Sequence, residues 1–154
     1  MVHGYDSFES YYSSNENLAQ IPWIYGSPKE WVIDDSKVLA GNKSIRNVQP
    51  IGAGAASTMS LKINVSSWAI IRCIGLVDVS MPWDMFYVSV NGEERINFYT
   101  PSDEWVTLVT GLSPGENIIH FTVKNNDIST MAQRDSPDDG TGFVWLDSCD
   151  ISPS

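Results

Sequence analysis

The C-terminal apolar run, Phe143 to Ile151, constrains the fold most strongly, because Asp147 and Asp150 lie among its large apolar residues. A run of this composition predicts a central strand, in which successive side chains point to opposite faces of a sheet. The apolar positions are even-numbered before Asp147 and odd-numbered after Ser148. We therefore expect a bulge near these two residues, or burial of both faces at the start of the strand. A buried carboxylate also needs hydrogen bonds, an opposite charge or a cation.

The rest of the chain consists of short segments of alternating polarity separated by turn residues. In residues 57–65 the apolar side chains alternate with polar ones, which predicts a half-exposed strand. Residues 69–77 are apolar at both parities, as expected of an inner strand, and Asn91-Gly92 is a strong hairpin signal. No segment has sustained helical periodicity. The pattern predicts an all-β fold, an antiparallel β-sandwich of the jelly-roll type.

Length and charge narrow the class of protein. The 154 residues are enough for one domain with a core, and we expect a single domain over residues 1–154, a module excised from a longer protein. The net charge of -10 and the scattered basic residues argue against a nucleic-acid partner and an anionic membrane surface. No apolar run approaches the roughly 20 residues that cross a membrane, so membrane insertion is not expected.

The two cysteines, Cys73 and Cys149, lie in apolar, strand-like segments. Such settings favour two small buried thiols. The alternative is a disulfide, which needs an oxidising compartment and suitable geometry between the two strands. The sequence leaves both alternatives open.

Aromatic residues supply the candidate binding site. Six Trp, six Tyr and five Phe exceed what one sandwich core needs, so several should be partly exposed. An exposed ring can stack on the apolar face of a pyranose while polar neighbours bind its hydroxyls. The candidates in loops and turns, with two polar neighbours, are Trp23, Tyr25, Trp83, Tyr99, Asp84 and Asn97. For each ring the alternative is packing against the sandwich, and the rings expected in the core are Trp31, Trp105 and Trp145.

The second half of the chain carries an ordered series of structural motifs. They are a strand ending in a hairpin, a Trp-led strand, a Leu-x-x-Gly turn, a strand ending in Lys-Asn, and an aromatic-apolar-Asp strand: Phe86–Gly92, Trp105–Val109, Leu112–Gly115, Ile119–Asn125 and Trp145–Asp147. Over residues 83–152 this order resembles a family of jelly-roll domains of secreted and cell-surface proteins, related to concanavalin-like domains and carbohydrate-binding modules. Two positions depart from the family pattern, namely Asp84 after Trp83, and Cys149.

The resemblance implies a non-catalytic, extracellular or surface-displayed module that binds glycan or polysaccharide beside the other domains of its parent protein. It also implies a structural calcium ion near the terminal strands. Calcium takes six to eight oxygen ligands. If the first and last strands pair, the carboxylates that could meet are Asp6, Glu9, Asp147 and Asp150. In the alternative, the first two are solvated and Asp147 accepts backbone hydrogen bonds.

Catalysis finds little support in the sequence. There are two His residues, and neither a Gly-x-Ser-x-Gly elbow nor a His-Glu-x-x-His motif occurs. We therefore expect no enzyme activity. The alternative function is a structural or adhesive module of a cell surface, virion or phage tail, with its aromatic side chains buried against a protein partner.

Overall fold

A computed structural model shows a protein made of antiparallel strands. It describes residues 23, 30–48, 55–80, 83–125 and 142–154, and the backbone alone of residues 4–6. The strands in these ranges are β1 (Gly4–Asp6), β2 (Trp31–Asp34), β3 (Ser44–Asn47), β4 (Ala56–Val65), β5 (Ala69–Asp78), β6 (Asp84–Val90), β7 (Glu93–Phe98), β8 (Val106–Leu112), β9 (Gly115–Asn125) and β10 (Phe143–Pro153). Among these residues no helix is long and apolar enough to cross a membrane. The predicted all-β, antiparallel fold is confirmed.

Sheet A has six strands in the order β2-β3-β10-β5-β8, and β1 also pairs with β10. One edge of β10 pairs with β5 along its whole length. The other edge pairs first with β3, opposite residues 145–146, and then with β1, opposite residues 149–151. The last strand is therefore the central strand of this sheet, as its apolar run predicts.

Sheet B has four strands in the order β4-β9-β6-β7. β4 and β9 pair in unbroken register from Ala56 opposite Lys124 to Val65 opposite Gly115. The predicted hairpin joins β6 to β7 at Asn91 and Gly92, whose φ angles of 53° and 83° are both positive. Two positive φ angles define the type I′ turn, whose twist matches that of the flanking strands. The hairpin prediction is confirmed.

The core lies between the inner faces of the two sheets. Along β4, β5 and β6 buried side chains alternate with more exposed ones, because successive residues face opposite sides of each sheet. The largest fully buried side chains come from both sheets: Trp31, Phe86, Phe121, Ile45, Met59, Leu61, Ile71, Leu112, Ile119, Leu146 and Ile151. The indole Nε1 of Trp31 also donates a hydrogen bond to the Ser57 carbonyl oxygen (3.3 Å), which links β2 to β4 across the sandwich.

A bulge interrupts β10 where its apolar pattern changes parity. The register with β5 shifts between Leu146 and Ser148, so Asp147 is the extra residue. Val144 to Asp147 are all buried, so both explanations offered for the parity change hold. The Asp147 carboxylate accepts hydrogen bonds from the backbone N–H groups of Leu39 (2.6 Å) and Ala40 (3.2 Å). This side chain thus attaches the β2–β3 loop to β10 between the positions that pair with β3 and with β1.

Cys73 and Cys149 form a disulfide bond between β5 and β10. The expectation of two free thiols is therefore wrong. The two residues are directly opposite each other, with their Cα atoms 4.1 Å apart. Before the bulge Leu146 is opposite Gly75, and continuing that register would place Cys149 opposite Arg72. The one-residue bulge shifts the pairing and brings the two cysteines together.

Candidate functional site

The outer side of sheet B carries aligned polar side chains, because paired residues on neighbouring antiparallel strands share a face. One row crosses the sheet from β7 to β4 and consists of Asn97, Tyr87, Thr122 and Thr58. The next row, in the same strand order, consists of Glu94, Ser89, His120 and Ser60. We call these two rows the sheet B face. Three strand spacings of about 4.8 Å make it about 14 Å wide, which is enough for more than one sugar ring.

Hydrogen bonds between neighbouring strands order part of the sheet B face. The hydroxyls of Thr58 and Thr122 are 3.2 Å apart, and the Ser60 hydroxyl is 2.7 Å from Nδ1 of His120. The Asn97 amide donates a weaker bond to the Glu94 carboxylate, at 3.4 Å. The β4–β9 side of the surface therefore holds hydroxyl and imidazole groups in fixed positions.

Tyr87 is the aromatic residue of the sheet B face. It lies on β6 between Asn97 on one side and Thr122 on the other, and it is half-buried. The face therefore combines a phenol ring with hydroxyl, amide, imidazole and carboxylate groups, which is the chemistry that binds a polyhydroxylated ligand.

One of the aromatic residues proposed as sugar platforms, Trp23, does not reach this surface. Trp23 is 8 % exposed and packs edge-on against Phe121, with ring centroids 5.5 Å apart. Trp23 thus packs against the sandwich, which was the alternative stated for each ring. A buried indole offers no face to a ligand. Tyr25 lies outside the described residues.

The remaining site candidates lie at or near one end of sheet B. Tyr99 follows β7 directly and is 42 % exposed, and Asn97 belongs to the sheet B face. Trp83 is half-buried in the turn before β6. Asp84 is buried, and its carboxylate accepts a hydrogen bond from the Ser80 backbone N–H (2.8 Å), so it holds that turn together. The structure thus places Asn97 opposite Tyr87, leaves Tyr99 exposed just beyond the end of β7, and gives Asp84 a structural contact.

The calcium hypothesis requires the first and last strands to pair, and β1 does pair with β10, with Asp6 opposite Cys149 and Tyr5 opposite Asp150. The side chain of Asp6 and all of Glu9 lie outside the description. One carboxylate oxygen of Asp147 accepts hydrogen bonds from two backbone N–H groups. Among the side chains that are described, no three acidic, His or Cys groups converge as metal ligands would.

A second charged cluster surrounds Asp34 on the outer side of sheet A. Its carboxylate accepts hydrogen bonds from Trp145 Nε1 (2.9 Å) and Arg46 Nε (3.1 Å), and the Arg46 guanidinium lies 4.7 Å from the ring centroid of Phe143. Burial acts to raise the pKa of Asp34, but the hydrogen bonds from Ser36, Trp145 and Arg46 outweigh it and lower the pKa from 3.8 to about 2. The cluster covers Trp145, which is 5 % exposed.

This pKa predicts a loss of stability in acid. A carboxyl whose pKa is lowered by folding stabilises the native state fully above its unfolded pKa of 3.8, and the contribution disappears as the pH falls towards 2. We expect the free energy of unfolding of the wild type to exceed that of Asp34→Asn above pH 5, and the difference to shrink between pH 4 and pH 2. Urea denaturation of both proteins across this range measures it. A pH-independent difference would contradict the prediction.

Sequence reasoning missed Tyr87, His120 and Trp68. Tyr87 and His120 lie at the outward positions of strands whose alternation is plain in the sequence, so parity is a signal that could have identified them. Trp68 is 65 % exposed at the start of β5. It directly follows a polar turn, and this pattern indicates a residue at the turn end of a hairpin.

No model of a known protein family matches the chain, and no curated protein matches it in sequence. The structure, in contrast, matches 105 chains among the solved structures. One is a xylan-binding domain from CBM 22, with a TM-score of 0.57 and 12 % identity over 99 % of this chain and 94 % of that one. Another is TmCBM61 in complex with beta-1,4-galactotriose, with a TM-score of 0.53 and 11 % identity over 86 % of this chain and 89 % of that one.

A third match is a structure of endo-1,4-beta-D-xylanase 10B of Clostridium thermocellum, containing CBM22-1 and GH10 modules complexed with xylohexaose. The TM-score is 0.58 and the identity 11 %, over the whole of this chain and 29 % of that one. At such low identity a structural similarity establishes the fold alone. The chain therefore has the β-sandwich fold of carbohydrate-binding modules, as the motifs of residues 83–152 imply.

Proposed function

We propose that this protein is a non-catalytic carbohydrate-binding module that holds a glycan or polysaccharide on the sheet B face. The observation that carries the proposal is the alignment of Asn97, Tyr87, Thr122 and Thr58 across all four strands of sheet B. The Tyr87 ring supplies an apolar surface for a pyranose, and the Asn97 amide and the Ser89 hydroxyl supply hydrogen bonds. Thr122 is 4 % exposed and lies beneath this surface. Tyr99 extends the aromatic surface at the end of β7.

The structurally similar proteins support this assignment. Two of them are described as complexes, one with beta-1,4-galactotriose and one with xylohexaose, and the CBM 22 domain is described as xylan-binding. In the xylanase structure the similar module is part of a longer chain with a GH10 module. We infer that this domain likewise serves a parent protein that supplies any chemistry.

The disulfide supports an extracellular or surface location. Disulfides persist in oxidising compartments and are rare where the cell keeps thiols reduced. The Cys73–Cys149 bond is almost completely buried, which suits a permanent structural bond better than a redox-active one. We therefore place the module outside the cytoplasm.

A structural calcium ion at the paired ends of β1 and β10 is part of the same proposal. Its ligands would come from Asp6, Glu9, Asp147 and Asp150, and the antiparallel pairing of β1 with β10 supports it. When bound, calcium would hold the terminal strands together through carboxylate oxygens. Thermal unfolding with calcium and with a chelator tests this: a Tm that rises with calcium is expected, and an identical Tm in both contradicts it.

The test of the binding function is a polysaccharide screen that includes xylan and β-1,4-galactan. We expect the wild type to bind at least one polysaccharide and Tyr87→Ala to bind it about tenfold more weakly, since loss of ring stacking costs about 1.4 kcal/mol. Isothermal titration with oligosaccharides of the polysaccharide that binds measures the affinity.

Two further variants make the result specific. Tyr87→Phe retains the ring and should keep most of the affinity, whereas Leu39→Ala changes an exposed residue in the β2–β3 loop and should have no effect. Failure of the wild type to bind any polysaccharide would refute the proposed function. Full affinity in a folded Tyr87→Ala protein would remove the sheet B face as the site.

A further inference from the structure

We propose a second glycan-binding surface on the opposite side of the sandwich, centred on Trp68 at the outer side of sheet A. The proposal rests on the proposed function and extends it: one domain would bridge two polysaccharide chains. The residues that form this Trp68 surface are Trp68, Ile70, Arg72, Val109 and Gly111.

Trp68 is displayed from an ordered part of the backbone. At 65 % exposure it is the most exposed large hydrophobic residue in the described ranges. Its carbonyl oxygen accepts a hydrogen bond from the Ser154 N–H (3.0 Å), and the next residue, Ala69, pairs with both Leu112 and Pro153. The backbone that carries the indole is therefore held at a fixed position, which lowers the entropic cost of stacking a ligand on the ring.

The neighbouring side chains continue an apolar surface along β5 and β8. Ala69 is buried, so strand alternation places Trp68 on the same side as Ile70, the outer side of sheet A. Ile70 is opposite Gly111, and a Cβ atom at Gly111 would have no atom within 4 Å, so space is open beside Ile70. One pair further along, Val109 is 44 % exposed. Together they form a shallow apolar floor beside the indole.

Arg72 gives this floor a polar group. It is exposed and lies opposite Val109 on β8 and Asp150 on β10. Within the described part of the chain its guanidinium makes no ion pair or hydrogen bond, whereas Arg46 and Arg95 both form ion pairs. Its N–H donors are thus available to sugar hydroxyls at the edge of the apolar floor.

The composition of the Trp68 surface fits a sugar better than a protein partner. A stable protein interface buries about 800 Å² on each partner, with a hydrophobic centre from which charged residues are depleted. Here two charged residues, Arg72 and Asp150, lie opposite each other beside the apolar groups, and only Trp68 and Val109 are exposed large apolar groups. One indole beside hydrogen-bond donors matches a pyranose ring with its hydroxyls.

The two surfaces face away from each other. The sheet B face and the Trp68 surface lie on the outer sides of sheets that pack about 10 Å apart, with the core between them. A single short oligosaccharide cannot contact both. The geometry therefore predicts two independent sites and the ability to cross-link separate polysaccharide chains, which raises the apparent affinity for a polymer above that for either site alone.

Titration of the complete domain with oligosaccharides of the polysaccharide found in the screen tests the inference. We expect the wild type to bind two oligosaccharides, and Trp68→Ala and Tyr87→Ala each to keep the affinity of one site and to bind about tenfold more weakly at the other. Light scattering should show that the wild type cross-links the polymer and that neither variant does. Trp68→Phe should retain both properties, and Leu39→Ala, an exposed apolar residue away from both surfaces, should match the wild type.

The outcomes separate this inference from the proposed function. Two oligosaccharides bound with wild-type affinity in a folded Trp68→Ala protein would overturn the second surface and leave the proposed function in place. A wild type that binds one oligosaccharide, at either surface, would overturn the two-site inference as well. A wild type that binds no polysaccharide would overturn both. Because Trp68 is exposed, its truncation should leave the unfolding transition unchanged, which circular dichroism verifies.

Discussion

Replacing Cys73 and Cys149 together by alanine is expected to lower the free energy of unfolding by about 2–5 kcal/mol. The bond joins residues that are 76 positions apart. It closes a large loop in the unfolded chain and so reduces the number of conformations that the unfolded chain can adopt. It also links β5 to β10, two neighbouring inner strands of sheet A, at positions that are 1 % exposed. Urea denaturation of the wild type and the double variant under oxidising conditions measures the difference.

A reducing agent provides the matched control for the disulfide. The wild type in dithiothreitol should approach the stability of Cys73→Ala/Cys149→Ala, whereas the double variant should be insensitive to the reagent. Equal stability of the two oxidised proteins would contradict the assigned contribution of the bond. Because alanine also removes two buried sulfur atoms, the reductant dependence is what distinguishes the cross-link from packing.

Asp147→Ala is expected to destabilise the protein by about 2–4 kcal/mol, because it removes a buried acceptor from two backbone N–H groups. The N–H groups of Leu39 and Ala40 would lose the Asp147 carboxylate as their acceptor. The contact also attaches the β2–β3 loop to the edge of β10, between the residues that pair with β3 and those that pair with β1. Chemical denaturation gives the free energy, and faster hydrogen exchange at both amides should accompany it.

Asp147→Asn separates the hydrogen bonds from the charge. Its amide oxygen can accept the same two hydrogen bonds, so Asp147→Asn should recover a large part of the lost free energy of unfolding. Wild-type stability in Asp147→Ala would refute the role of the Asp147 contact. Repeating the series with calcium and with a chelator adds a second readout. If calcium stabilises the wild type but neither variant, Asp147 also acts as a metal ligand.

Alternation of side chains was enough to predict most of the architecture. The pattern of residues 57–65, the Asn91-Gly92 turn and the change of parity in residues 143–151 each correspond to a feature of the structure: a half-exposed strand, a type I′ hairpin and a bulge. These features depend on the period of a strand and on local backbone preferences, which neighbouring residues determine. The fold class followed from them because each strand must bury one face.

The candidate site was predicted only in part. Asn97 was identified and lies on the sheet B face, but Tyr87 was assigned to the strand pattern and not to a site. Its importance comes from Thr122 and Thr58, which are 35 and 29 positions away in the chain and become neighbours through β9 and β4. A surface made from four strands cannot be read from one strand, because its composition depends on strand order.

Local sequence therefore determined which segments form strands, which residues turn and which faces are apolar, since these are properties of a few neighbouring residues. Tertiary structure alone decided that Trp23 is buried against Phe121 while Trp68 is exposed, although both are tryptophans beside turn residues. It also decided that Cys149 is opposite Cys73, through a register shift of one residue at Asp147. Burial, disulfide pairing and surface composition depend on contacts between distant segments, and these exist only once the two sheets have packed together.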